Sequence, residues 1–331
     1  MKKLNDLLAA ADIKRRFGSV SLMITLALFA LLFIAGIFVY NFKMSTLFNL
    51  FNTNAYLIIV AVGETFVLLS GGIDISVAST VAFSCMLSAF LLQLGVPPAI
   101  VIPLVLAAGF TFGYIMGFLI QNYNLQPFII TLAGMFFLRG LCAVISTESI
   151  PITDGFFKFM SLGKITLGKG NNIYYYFVVA LIAVAAAYFC LRFTKFGRGV
   201  YAVGGSAQSS LLMGLPVNRT KIMVYAISGF CAALGGIIYC FGVTAGYALQ
   251  NMGLELDAIS SAVIGGTLLS GGIGSIPGTT VGVLIQGIIQ TIVTYQNLNT
   301  WWTKVTNAAL LCIFIVIQRV IAARSEKAKH K

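Results

Sequence analysis

Residues 68–79 read LLSGGIDISVAS, and residues 268–279 read LLSGGIGSIPGT. The same Leu-Leu-Ser-Gly-Gly-Ile recurs two hundred positions on, each time after one apolar run and before another. Paired glycines stop a helix, because glycine weakens helix interiors and readily adopts left-handed backbone. In the first copy Asp74 can offer its carboxylate to the free N–H groups at the start of the following helix, where the dipole favours negative charge. The second copy has Pro277 at an early helical position, where a missing N–H is no loss. Both stops are therefore expected to end one helix and begin the next by different local chemistry. Broken backbone at membrane depth is tolerated only where protein or a water-lined path surrounds it. Gly71, Gly72, Asp74, Gly271 and Gly272 are accordingly candidates for a pathway or gate, a reading compatible with a capping role for Asp74.

The surrounding composition fixes the setting. Of 331 residues, 59% are hydrophobic and only 9% charged, against roughly a quarter charged in soluble domains. An ordinary water-soluble protein is excluded. Apolar spans long enough to cross a hydrocarbon layer are drawn at 21–40, 53–70, 74–94, 97–121, 125–146, 172–193, 221–245, 254–270, 276–295 and 301–318. The expected fold is all-α: a polytopic transmembrane bundle of about ten helices, with a weak internal repeat and glycine-broken helices. No stretch is long and polar enough for a separate soluble domain. One membrane domain is read over 21–318, between a basic N-terminal segment 1–20 and a basic tail 319–331.

With both termini in the cytoplasm, fifteen of the 21 basic residues fall inside, in three groups: Lys2, Lys3, Lys14, Arg15, Arg16; Arg192, Lys195, Arg198, Arg219, Lys221; and Arg319, Arg324, Lys327, Lys329, Lys331. This follows the positive-inside rule and places 194–220 inside and 147–171 outside. The net charge of +12 is thereby explained by orientation and a lipid surface, and no nucleic-acid partner is expected. The first apolar run is too long for a signal-peptide core and lacks a small-residue cleavage site, so it is kept as a helix.

Chemistry-bearing residues are sparse. His330 is the sole histidine, which removes histidine catalysis and histidine-ligated metal. Cys85, Cys142, Cys190, Cys231, Cys240 and Cys312 all fall in spans without CxxC spacing and read as small buried hydrophobes. GKITLGK at 163–169 matches most of a phosphate-binding loop, but Gly170 stands where a magnesium-binding hydroxyl is needed. No catalytic residue, cofactor or metal is expected, and the chain has no site of its own to bind and hydrolyse nucleotide.

A second likeness pairs GFTFGYIMGFLIQ at 109–121 with GTTVGVLIQGIIQ at 278–290. Internal repeats of this kind mark transporters, and close packing through small residues produces the same pattern; both readings stand. Glu64 and Arg139 lie nearest the middle of spans, where a charge costs roughly 2.5–3.5 kcal/mol on insertion scales. Each is expected to find a partner or line a pathway, and the sequence does not say whether they pair. Glu255 and Asp257 suit the start of a helix, Trp301 and Trp302 an aromatic belt, and Ser206 to Met213 a short helix between glycine breakers.

LLSGGIDISVAS, TKFGRGVYAVGGSAQSSLLMGLPV and LELDAISSAVIGGTLLSGGIGSIPGT resemble signature segments of permease subunits of ABC-type monosaccharide importers, the ribose, arabinose, xylose and galactose class. Within it, LQPFIITLAGMFFLRG, TESIPI, AGYAL and WWTKV are most similar to the galactofuranose-type permease. The resemblance implies an inner-membrane subunit working with a second permease, homologous or identical, a cytoplasmic ATP-binding subunit and a periplasmic sugar-binding protein. It also implies that Gly204, Gly205, Ser206, Ala207 and Gly214 belong to the loop that meets the ATPase, with Ser206 standing where the family commonly has Asn. Branched-chain amino acids or nucleosides are the alternative cargoes within the same machinery. An ion-coupled transporter is the alternative outside it.

Overall fold

The computed structural model describes residues 22–168, 170–299 and 301–329. The N-terminal basic segment 1–20, Lys169 and His330 lie outside these residues, as do the side chains of the basic tail.

Fourteen helices run through the described residues: α1 (Leu22–Tyr40), α2 (Met44–Thr53), α3 (Ala55–Leu69), α4 (Val77–Gln93), α5 (Pro98–Asn122), α6 (Pro127–Ile145), α7 (Gly155–Leu162), α8 (Tyr175–Phe193), α9 (Lys195–Gly205), α10 (Ala207–Leu212), α11 (Val217–Val243), α12 (Leu254–Ile264), α13 (Ile276–Tyr295) and α14 (Trp301–Lys329). Six of them, α1, α5, α6, α8, α11 and α13, are long and apolar enough to cross a membrane singly, and α2 with α3 forms a further pair bent by 58° at Asn54. The expected all-α, multi-pass architecture holds, and each of the ten expected spans contains a helix.

Their lengths differ from the sequence reading. α3, α4 and α12 are shorter than a crossing helix, at 15, 17 and 11 residues. The reason is position. Fourteen of the fifteen residues of α3 are buried, on every side, as suits a core helix wrapped by others. The longer α1, α5, α6 and α8 expose most of their surface, the environment in which a helix must satisfy its whole backbone internally. The span drawn at 254–270 ends instead at Ile264, because Gly265 presses on α13: a Cβ there would stand 2.5 Å from Thr279 N. The span drawn from 74 begins at Val77.

α11 is the central helix, packed on α5, α3 and α4. Between membrane helices there is no hydrophobic driving force, so closeness of approach decides. Gly109, Gly113 and Gly117 form a stripe on α5 that seats α11: a Cβ on Gly109 would lie 2.6 Å from Gly229 O, and one on Gly113 only 3.2 Å from the Ala226 Cα. The partner glycine answers in kind, since a Cβ on Gly229 would lie 3.0 Å from Gly113 Cα. In the second copy Gly278 and Gly282 of α13 play the same part against α12, where a Cβ on Gly282 would lie 3.1 Å from Gly265 N. The matching glycines of the two copies thus do the same packing work.

The end opposite α9 and α10 carries two short antiparallel pairings, β1 (Ile150–Pro151) with β4 (Ala245–Gly246) and β2 (Lys164–Thr166) with β3 (Asn172–Tyr174). The phosphate-loop look-alike at 163–169 forms β2 and opens no helix. Cys85, Cys142, Cys231 and Cys240 are buried as small hydrophobes, whereas Cys190 is half-buried and Cys312 exposed.

Candidate functional site

Both Leu-Leu-Ser-Gly-Gly-Ile segments make the same turn. Gly71 N donates to Leu68 O at 2.9 Å and Gly271 N to Leu268 O at 3.0 Å, with φ of +82° and +84° at the two glycines. That left-handed conformation strains any residue with a Cβ, which is why the glycine recurs. Beyond the turn the copies diverge. Gly72 N returns to Val67 O in its own helix, at 3.0 Å, but Gly272 N crosses to Leu69 O of the first copy, at 2.9 Å. The two breaks are hydrogen-bonded to each other.

A third diglycine completes the junction. Gly204, near the end of α9, sits so close that a Cβ on it would collide with Leu69 O and stand 2.6 Å from Gly272 N. A Cβ on Gly271 would be 2.9 Å from both Gly204 O and Gly71 N, and one on Gly272 would be 2.9 Å from Gly205 N. Tyr201, one turn earlier in α9, donates its hydroxyl to Gly274 O at 3.0 Å. The sequence reading assigned Gly204 and Gly205 to a coupling loop and Gly71, Gly72, Gly271 and Gly272 to a gate; the fold brings Gly71, Gly204, Gly205, Gly271 and Gly272 together, while Gly72 lies against Tyr225 and Val67.

Asp74 does not cap α4. The N-cap position belongs to Ser76, which makes no side-chain cap bond. Asp74 is only 2% exposed, and its Oδ1 accepts from Ser76 N (3.0 Å) and Ser76 Oγ (2.6 Å) while Oδ2 accepts from Ser228 Oγ of α11 (2.9 Å). A side-chain cap is found instead in the second copy, where Ser275 Oγ accepts from Gly278 N at 3.2 Å and Pro277 lies in the first turn of α13. Glu64, fully buried, accepts from Asp74 N through Oε1 at 3.2 Å. Tyr225 donates to Ile73 O at 3.4 Å, and the first break is thereby held to α11 on one side and α3 on the other. Thr65 and Thr279 hydroxyls meet at 2.7 Å, a further tie between the two copies.

A family profile described as branched-chain amino acid transport system / permease component matches residues 46–315. The chain belongs to this permease family. It is 44% identical to an inner membrane ABC transporter permease protein, YjfF, of Escherichia coli strain K12, over 90% of this chain and 91% of that one. It is 36% identical to the fructose import permease protein FruG of Bifidobacterium longum, over 89% of each, and 33% identical to the ribose import permease protein RbsC of Haemophilus influenzae, over 86% and 88%. No solved structure matches. These relatives are transport components, and the present chain is likewise a transport subunit rather than an enzyme.

In this permease the loop expected as a short helix is α10, capped by Ser206, whose Oγ accepts from Ser209 N at 3.2 Å. Its far edge exposes Leu211, Leu212 and Met213, Leu212 to 84%. Those three apolar side chains were not singled out by the sequence reading, which weighted the glycines and serines. The signal lay in QSSLLMGLP, an apolar triplet in an otherwise small and polar loop. Ala207 is half-buried, and Gly214 follows α10 with open space around it.

Arg139 and Glu64 do not pair. Arg139 points to the opposite end, where its guanidinium donates to Ala248 O (3.0 Å), Gln250 O (2.7 Å) and Asn251 O (3.3 Å) and so fixes the loop ahead of α12. Asp257 bonds to Lys304 at 2.5 Å, the one ion pair among the described residues, so its role is a tie from α12 to α14 as well as a first-turn acid.

Proposed function

We propose that this permease is the membrane subunit of an ATP-driven importer that carries a monosaccharide, galactofuranose or a related sugar, across the bacterial inner membrane. The cargo reading is supported by relatives that are import permeases for fructose, ribose and galactose or methyl galactoside, and by the segments that resemble the galactofuranose type. A separate cytoplasmic ATP-binding subunit supplies the energy, a second permease subunit completes the path, and a periplasmic sugar-binding protein delivers the cargo. The termini and 194–220 face the cytoplasm, and 147–171 faces the periplasm.

The observation that carries the mechanism is the packing of Gly204 against the Gly272 N to Leu69 O hydrogen bond that ties the two breaks, with no room for a Cβ. α9 and α10 act together as a lever, with the apolar edge Leu211 to Met213 exposed. The ATP-binding subunit docks on that edge. Tilting the lever moves Gly204, and the two helix breaks cannot stay in place when it moves, because no side chain cushions the contact. The breaks end α3 and precede α4 and α13, so the displacement reaches the buried centre of the bundle and opens the path first outward, then inward. Interfaces this tightly packed switch between discrete arrangements and do not deform continuously.

The test is uptake in proteoliposomes holding the complete complex, combined with thermal shift of the co-expressed binding protein against sugars, branched-chain amino acids and nucleosides. A sugar that both stabilises the binding protein and enters with ATP supports the reading. The family profile's description keeps amino acids in the panel, and ATP-dependent leucine uptake without any sugar uptake refutes the sugar assignment. Uptake driven by an ion gradient without the ATPase refutes the ATP-driven mechanism.

A further inference from the structure

At the end of the molecule opposite the diglycine junction, the starts of α3 and α14 and the sides of α12 and α13 enclose a cavity of about 200 Å³. Asn54, at its wall, and Leu69, at the junction, stand at opposite ends of α3, about 22 Å apart at the helical rise per residue. Four polar atoms in residues lining this one cavity have no partner among the described residues: Gln286 Oε1, Asn307 Oδ1, Asn251 Nδ2 and Thr303 Oγ1. Gln286 and Asn307 are only 3% and 6% exposed. Buried polar groups are nearly always paired, so four orphans around one space point to something that fills it.

The chemistry of the orphans describes the occupant. Gln286 uses its amide nitrogen on Ser260 Oγ, and Asn307 uses its own on Asp257 Oδ1 at 3.2 Å. Two carbonyl acceptors, one amide donor and one hydroxyl remain, all neutral. Among the described residues the only charges on the wall, Asp257 and Lys304, are closed on each other at 2.5 Å. A zwitterion such as an amino acid would have to split that pair, whereas hydroxyl groups, each both donor and acceptor, match the orphans in kind once these side chains turn to the cavity. The volume is many times the roughly 10–15 Å³ that a single water needs, room for a single sugar ring. Lys304, 44% exposed, marks the mouth.

The internal repeat makes the same distinction. GFTFGYIMG and GTTVGVLIQ run in register, and where the first copy has Gly117, packed with a would-be Cβ 2.9 Å from Ile222 Cα, the second has Gln286. A position used for close packing in one half carries a buried amide in the other. Arg139, through its three bonds to the 248–251 loop, is the positioning residue for Asn251.

We infer that this cavity is a monosaccharide-binding site within the permease itself, with Gln286, Asn307, Asn251 and Thr303 as its hydrogen-bonding wall. The inference rests on the sugar-import reading and adds to it a site of selection beyond the external binding protein. The chain's two tryptophans, Trp301 and Trp302, directly precede Thr303 and provide a probe. The full-length chain in lipid nanodiscs is titrated by intrinsic fluorescence with pentoses and hexoses, pyranose and furanose, and with leucine. A saturable response to at least one sugar and none to leucine is expected, weakened about tenfold or more in Gln286→Leu and Asn307→Leu. Thr303→Val, at the end of a helix and less dependent on core packing, should weaken it severalfold and guards against misfolding of the first two. If the complete complex imports a sugar while the permease gives no saturable response to it, or the three folded variants bind it as the parent does, the site is refuted and the sugar-import reading stands. If the complex imports only amino acids, both fall.

Discussion

Replacing Gly204 by alanine tests the junction most directly. The added methyl would stand 2.8 Å from Leu69 C and 2.6 Å from Gly272 N, whereas carbon atoms in contact prefer about 3.5–4.0 Å. α9 must therefore withdraw by about an ångström. Overpacking of this kind costs about 1–3 kcal/mol, and loss of the Gly272 N to Leu69 O bond adds about 0.5–1.5 kcal/mol. The combined perturbation, about 1.5–4.5 kcal/mol, falls on the contact between lever and helix breaks. Since about 1.4 kcal/mol is a tenfold change in an equilibrium, the balance between outward and inward arrangements should shift by more than tenfold. The assay is ATP hydrolysis stimulated by the binding protein together with sugar uptake in proteoliposomes, with membrane insertion followed by fractionation. Gly204→Ala should insert normally and lose at least nine-tenths of its uptake. Gly242→Ala, on α11 with nothing within 4 Å of its would-be Cβ, should transport as the parent does. Parental uptake by Gly204→Ala would refute the lever.

Gly113→Ala should separate α5 from α11 and lower the thermal melting temperature in detergent, while Gly140→Ala, with open space around it, should not; equal melting of the two would remove the close-packing account of the glycine stripe. Asp74→Ala strips partners from Ser76 and Ser228, each buried, and should destabilise by more than the ~0.5–2 kcal/mol of a simple cap, as measured by chemical denaturation. A loss within that range would return Asp74 to a local role. Leu212→Asp, at a site 84% exposed, should leave melting unchanged and reduce co-purification of the ATP-binding subunit; undiminished co-purification would place the docking surface elsewhere.

The membrane setting, the all-α class and the approximate positions of the spans were legible in the sequence because burial in lipid demands long apolar runs whatever their neighbours. The two helix breaks were legible for a similar reason: paired glycines disfavour helix locally, and the structure shows the same left-handed turn at Gly71 and Gly271. The short helix α10 could be read from its flanking glycines; its Ser206 cap appears only in the structure.

Contacts between distant segments were not legible. Nothing in LLSGGIDISVAS says that Asp74 turns its second oxygen to Ser228, 154 residues away, or that Arg139 ignores Glu64 for three carbonyls of a remote loop. The shortness of α12 depended on Gly265 meeting Gly278, a close approach that exists only once α13 is in place. Local chemistry wrote where this chain crosses, stops and turns, since those choices are decided by each segment's own backbone and solvent. Packing alone decided that the three diglycines meet at one junction and that four polar residues from distant segments line one cavity, since such meetings depend on segments far apart in the chain.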